Sequence, residues 1–177
     1  MNLNDTIDRI NRMRDERIIG DFAIGGAVAA GFYIEAAATE DVDVFAALSE
    51  KGGLIDLDPI FAYARARGYP KLGPYIVIGG WKVQFLPAGT PLVQEAIDQA
   101  VHRSAGDLKI RLFSPEHVVA VALQVGRPKD LTRIAQFLEA DNSKERKRRF
   151  DEAKLTDILA RHNLMDKWLR VKRQLGM

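Results

Sequence analysis

The 177-residue chain has no cysteine. That excludes disulfide bonds and thiolate metal sites, and it suits a reducing, cytoplasmic compartment, which is the expected location. No apolar run approaches the roughly 18–20 residues needed to cross a bilayer, so no membrane partner is expected. The stretch from Met1 to Asp15 mixes acids and bases without an apolar segment, and no secretory signal is expected either. Internal repeats and low-complexity linkers are missing. So are the G-x-S-x-G, H-E-x-x-H and full phosphate-loop patterns, which removes three common routes to hydrolase or ATPase chemistry. His102, His117 and His162 lack the partners of a zinc site.

What is present suits a soluble globular protein: 47% of residues are apolar and 28% charged. The length allows one domain plus a helical extension. The expected division is an α/β core over 1–113 and a helical region over 114–177 packed on it. The net charge of +2 is unevenly spread: from Lys144 onward there are 11 Lys/Arg against 5 Asp/Glu, and the rest carries 15 against 19. A basic tail of this kind can meet an anionic partner, or it can be a solvated helical face.

Periodicity predicts a helix over Thr6–Arg17, with Asn4 or Asp5 as cap and Gly20 as stop. A short strand over Phe22–Gly25 and a helix over Gly26–Tyr33 follow, then a strand over Thr39–Ala46 and a break at Gly52-Gly53. Asp58-Pro59 reads as a helix start, with Asp58 as cap and Asp56 in the loop before it. Tyr75–Gly79 and Trp81–Leu86 read as a hairpin about Gly79-Gly80. Further on, the pattern predicts a helix over Pro91–Val101, a strand over Leu108–Phe113, and a buried helix capped by Ser114 with Pro115 in its first turn. The remaining helices break near Gly126-Arg127-Pro128 and Asp141-Asn142. Trp81 and Trp168 read as packing residues. The fold class expected is a small mixed β-sheet with helices, followed by a C-terminal helical extension.

Asp41 and Asp43 are the candidate chemistry. In a strand they project to one face while Val42 and Val44 point to the other. Two neighbouring carboxylates repel unless a divalent cation lies between them, and magnesium favours hard oxygen ligands with room left for phosphates. Upstream, Gly25-Gly26 lets a strand turn sharply into a helix start, where backbone N–H groups can approach an anion. Together these features suggest metal-assisted chemistry on a nucleoside triphosphate.

The pattern I-G-G-A … T-x-D-x-D-V-F, at Ile24–Ala27 and Thr39–Phe45, resembles the nucleotidyltransferase superfamily with a DNA polymerase β-like fold. It looks closest to the AbiEii-type toxin branch and related minimal nucleotidyltransferases. A second segment, Ser114-Pro115-Glu116-His117 and Gly126-Arg127-Pro128-Lys129-Asp130, is similar to the "PE … GR-x-KD" pattern of that branch. The resemblance spans roughly residues 20–140. It implies that Gly25 and Gly26 contact the triphosphate and that Asp41 and Asp43 hold Mg2+. An acceptor hydroxyl would then attack the α-phosphorus and pyrophosphate would leave. Arg127 and Lys129, at a helix start, suit phosphate oxygens in type, while Arg127, Lys129 and Asp130 can equally form a surface ion-pair turn. Thr39, Gln84 and Asp130 complete the residues expected at the nucleotide.

Two departures accompany the match. Active members carry a third carboxylate on the strand after the D-x-D pair, completing a two-ion site, and here Gln84 stands there. The arginine usual before T-x-D-x-D is replaced by Ala36, Ala37 and Ala38. Two functions are therefore expected. One is a Mg-dependent enzyme moving a nucleoside monophosphate onto a hydroxyl of a protein, RNA or small molecule. The other is a catalytically weakened member that binds nucleotide, RNA or a partner protein. The toxin resemblance adds an antitoxin or RNA as possible occupants of the basic C-terminal region.

Overall fold

Residues 2–35, 39–105, 108–142 and 151–176 are described by the computed structural model of the chain. Helix α1 (Leu3–Asp15) starts earlier than its expected caps: Asn2, not Asn4 or Asp5, accepts the Asp5 N–H at 3.2 Å. Ile7, Ile10 and Met13 line its buried face. The buried Thr6 hydroxyl lies 2.8 Å from the Ile78 carbonyl, tying the helix to the sheet. The helix stops well before Gly20, because Arg17 leaves helical space at φ 60°.

Strand β1 (Phe22–Ile24) is buried along its length and leads into α2 (Gly26–Gly31). Strand β2 (Asp41–Ala46) alternates: Val42 and Val44 are fully buried, while Asp41, Asp43 and Phe45 face the other way. At Gly52-Gly53 the chain forms a hairpin of β3 (Glu50–Lys51) and β4 (Leu54–Ile55), separate from the main sheet. Helix α3 (Asp58–Ala66) starts with Leu57, not Asp58, at the N-cap position and without a side-chain cap; Asp56, in the loop before it, accepts the Asp58 N–H on Oδ1 at 2.9 Å. Asp58 itself is an acid in the first turn, where the helix dipole favours it.

Strands β5 (Lys71–Leu72), β6 (Tyr75–Ile78) and β7 (Trp81–Pro87) follow. The β6–β7 turn places Gly79 at φ 58° and Gly80 at φ 85°. Positive φ at both positions is what a tight hairpin of this hand requires. Helix α4 (Pro91–Asp98) is shorter than expected, and Val101 instead opens β8 (Val101–Ala105), paired antiparallel with β9 (Leu108–Leu112). Four helices complete the order: α5 (Pro115–Val125), α6 (Pro128–Asn142), α7 (Glu152–Arg161) and α8 (Met165–Gln174).

The main sheet is mixed and seven-stranded among the described residues, in the order β5-β6-β7-β2-β1-β9-β8. Its centre pairs β2 parallel with β7 and antiparallel with β1, which in turn lies parallel to β9. Ser114 caps α5 through the His117 N–H at 3.3 Å, and Gly126 ends it in the left-handed region at φ 74°. Residues Pro115 to Leu123 of α5 are all buried. A helix apolar on every side belongs in the interior, and α5 packs against α2, α4, α6 and α7. Trp168 of α8 is also buried in this layer. No helix among the described residues is long and apolar enough to cross a membrane.

Candidate functional site

Because β2 and β7 run parallel in register, Asp41 lies opposite Lys82, Asp43 opposite Gln84 and Phe45 opposite Leu86. The antiparallel β6–β7 register, with Ile76 facing Val83, carries on to bring Tyr75 beside Gln84. One face of three strands therefore bears the row Asp43, Gln84, Tyr75. That face lines a cavity of about 740 Å³, which Gly26, Thr39, Arg127, Lys129, Asp130 and Arg133 also line. The volume is that of an ordinary small-molecule site. Thr39 positions the start of β2: its hydroxyl oxygen accepts the Asp41 N–H at 3.2 Å.

The two glycines do different work. Gly25 gives its N–H to the Asp43 carbonyl at 3.0 Å, so that donor is already used. A Cβ at Gly25 would collide with the rings of Phe45 and Phe113, which meet at 4.8 Å and 35°. Gly26 has φ +60°, and a Cβ there would run into the Asp43 carboxylate. Close approach to that side chain, as well as the turn, requires glycine at this position.

Across the cavity, α6 contributes the positive groups. Arg127 and Asp130 do form an ion pair at this turn, with the Arg127 side chain 56% exposed and only the Asp130 carboxylate buried. The Asp130 Oδ2 accepts from the Arg127 N–H at 3.1 Å and Nε at 2.8 Å, and its Oδ1 accepts from Arg133 at 3.2 Å. The carboxylate is consumed by these bonds and acts by holding two guanidiniums at the cavity wall. Lys129 is exposed and has no ion-pair partner among the described residues. Sequence reading missed Arg133, although its i, i+3 spacing from Asp130 on one helix face was a usable signal. Tyr75 was missed too, because only strand register brings it to Gln84.

Burial pushes the Asp43 carboxyl above its ordinary range; Lys129, Arg133 and Arg127 pull it back, and Asp41 adds to the rise. A cation between Asp41 and Asp43 would relieve both the burial cost and the mutual repulsion. In type, two carboxylates and a side-chain amide oxygen are the hard oxygen donors that magnesium favours, and all three residues line this cavity. No group of three or more His, Asp or Glu that could hold a metal is gathered among the described residues. The register partner of Asp43 on β7 is Gln84, a neutral amide and not a third acid. The Ala36–Ala38 stretch lies outside the described residues, as does the basic run over 144–149.

The histidines belong to a different cluster or to none. His102 lies exposed on β8. His117 is fully buried, with Nδ1 2.9 Å from Ser114 Oγ and Nε2 3.3 Å from Glu95. Glu95 also accepts from Arg161 at 2.7 Å and from His162, the α7 C-cap, at 2.7 Å. Burial raises the Glu95 carboxyl, but the bonds from Arg161, His162 and His117 outweigh it and hold it at about 2. Burial lowers the His117 imidazole, against the pull of Glu95. The cluster joins α4, α5 and α7.

No family model matches the chain, and no curated protein matches it in sequence. Solved structures do. The chain is similar to an antigenic nucleotidyltransferase-like protein from Paracoccidioides brasiliensis, at TM-score 0.52 and 15% identity, over 96% of this chain and 92% of that one. It is similar to the antibiotic-resistance factor ANT(2'')-Ia in solution, at TM-score 0.51 and 15% identity, over 98% and 97% of the two chains. The fold is nucleotidyltransferase-like. ANT(2'')-Ia in complex with adenylyl-2''-tobramycin matches in the same way, at TM-score 0.51 and 16% identity, over 89% and 95%. At these identities the likeness is one of fold, and it agrees with the mixed sheet, flanking helices and C-terminal helical extension described above.

Proposed function

We propose that the cavity binds a nucleoside triphosphate with one divalent cation, and that nucleotidyl transfer from it is weakened by Gln84. In such a transfer an acceptor hydroxyl oxygen bonds to the α-phosphorus, the bond to the bridging oxygen breaks, and pyrophosphate departs with that electron pair. The hydroxyl proton must go to a base. An amide takes no proton near neutral pH, so Gln84 cannot serve. Magnesium held by Asp41 and Asp43 would neutralise phosphate charge. Arg127, Lys129 and Arg133 would bind the phosphate oxygens, with Asp130 keeping the two arginines in place. Thr39 and Gly26 would keep the Asp41–Asp43 strand aligned, and Gln84 would offer its amide to the metal or the sugar.

The observation that carries this reading is the direct pairing of Gln84 with Asp43. The experiment is transfer of label from α-labelled NTPs with magnesium and a cell lysate, for the wild type and Gln84→Asp. The wild type is expected to label acceptors slowly, and Gln84→Asp to raise the rate at least about tenfold, the usual scale of a supplied general base being larger still. A wild type as fast as Gln84→Asp would instead establish the second reading, a competent Mg-dependent nucleotidyltransferase. That reading draws support from Asp41 and Asp43 sharing one face against three cationic side chains. An AbiEii-type toxin, with an antitoxin or RNA on the basic C-terminal region, is the partner reading that the Gly126–Asp130 segment and the tail charge support.

A further inference from the structure

The cavity changes character along its length. β2 and β7 run side by side, so the rows on the cavity face can be read off in order: Asp41 with Lys82, Asp43 with Gln84, then Phe45 with Leu86. The first two rows are charged or polar and the third is apolar, with Pro87 lining the cavity beyond it. At about 3.3 Å per residue the change occurs within a few residues of the Asp43 carboxylate. The apolar end is closed by α5, which presents Val118, Val121, Ala122 and Val125 to the cavity at i, i+3, i+4 and i+7, and by Val93 of α4.

The carboxylates that line the cavity are few. Asp41 and Asp43 are the metal-facing pair, and Asp130 is consumed by Arg127 and Arg133. Among the described lining residues, nothing acidic remains for the amines of a second ligand. The other polar groups at that end are neutral: Thr90 and Gln124, joined at 3.2 Å. An ammonium group there would lose its hydration with no counter-charge, beside the positive groups of α6.

We propose that the second ligand of this cavity is an uncharged, apolar-bodied alcohol, its body between Val93, Val121 and Val125 and its hydroxyl toward the Asp43–Gln84 row. The proposal rests on the nucleotide reading for the charged end, and on the α5 stripe for the apolar end. Polyamine acceptors are excluded from the site by the same charge distribution.

The test is calorimetric titration of the nucleotide-free protein with octyl β-D-glucoside, kept below its micellar concentration, and with spermine. Two variants accompany the wild type. Val125→Asp changes a residue that is 51% exposed and so leaves the core intact, and Val121→Thr is a milder change deeper in the stripe. The glucoside is expected to bind the wild type, at least about tenfold more weakly to Val125→Asp and several-fold more weakly to Val121→Thr. Spermine is expected not to bind. Glucoside affinity unchanged in both variants, or spermine binding more tightly than the glucoside, overturns the proposal. A separate titration with a magnesium-bound non-hydrolysable NTP reads the earlier proposal. Loss of that signal in the wild type sinks the nucleotide reading alone. A tenfold loss of NTP affinity in Val121→Thr, which brings no charge to the cavity, would put the nucleobase in the apolar end and overturn this inference.

Discussion

Asp43 is held by everything around it. Its backbone carbonyl takes the Gly25 N–H, its carboxylate fills the space a Gly26 side chain would need, and its strand neighbour is Gln84. A methyl group at Gly26 must displace that carboxylate and adopt φ +60°, which disfavours any residue with a Cβ. Gly26→Ala is therefore expected to lower stability by about 1 kcal/mol or more. It should also weaken magnesium-dependent NTP binding about tenfold, because the Asp43 oxygens are pushed out of place. Urea unfolding and calorimetry read the two effects, and an unchanged affinity would show that the Gly26–Asp43 contact has no bearing on the site. The roles of Gly25 and Gly26 were not separable from the sequence. A Gly-Gly pair signals a turn, and only the fold reveals which glycine meets the carboxylate and which meets two aromatic rings.

At the scale of elements, three helices are joined outside the cavity by the cluster of Glu95 on α4, His117 on α5, and Arg161 and His162 at the end of α7. Its pH dependence follows from the direction of each shift. Unfolded histidine titrates near 6.5, but buried His117 resists protonation, so the unfolded chain binds more protons as pH falls below about 6.5 and stability drops. Glu95 adds a second loss below its ordinary value of 4.5, extending down to about 2. Asp43 works in the opposite sense, its raised carboxyl favouring the fold in acid. Charges from the packed elements, Glu116 and Lys154 among them, act on His117 as well. The expected outcome is a urea midpoint that falls between pH 7.5 and 5, with a smaller slope in His117→Gln. An identical slope in wild type and variant would contradict the assignment.

The helix starts that were legible carry local chemistry: Ser114-Pro115-Glu116 reads as a cap from residue types alone, and so it proved. Where distant pairing decides, the pattern fell silent. Val101–Ala105 has polar residues at its centre and no alternation, and it became a strand because β9 offers it an edge. The same holds for α1, whose start moved to Asn2 once Thr6 found the Ile78 carbonyl.

For the whole molecule, the nucleotidyltransferase-like fold was readable from the motif at Ile24–Ala27 and Thr39–Phe45, because it holds the positive-φ Gly26 and the Asp41–Asp43 face. The Asp41–Asp43 face was visible in the one-dimensional string; the row that joins it to Gln84 and Tyr75, and the helix that brings Arg133 across, were not. Register across β6, β7 and β2 is a property of the assembled sheet, and α6 is brought to it by packing on α5. Of the basic region from Lys144 onward, which suggested an RNA or antitoxin partner, residues 143–150 lie outside the described residues, while Lys154, Arg161 and Lys172 are ion-paired with Glu116, Glu95 and Glu152 and Lys167 bonds the Gln124 carbonyl.

The proposed function stands on Asp41 and Asp43 binding a magnesium–nucleoside triphosphate against Arg127, Lys129 and Arg133. Calorimetric titration of magnesium with each NTP, for the wild type and the Asp41→Asn/Asp43→Asn pair, is the decisive measurement. Magnesium-dependent binding is expected in the wild type, and its loss by at least about a hundredfold in a double variant that unfolds at the same urea concentration or higher. Equal affinity in the two proteins, or binding indifferent to magnesium, would contradict it.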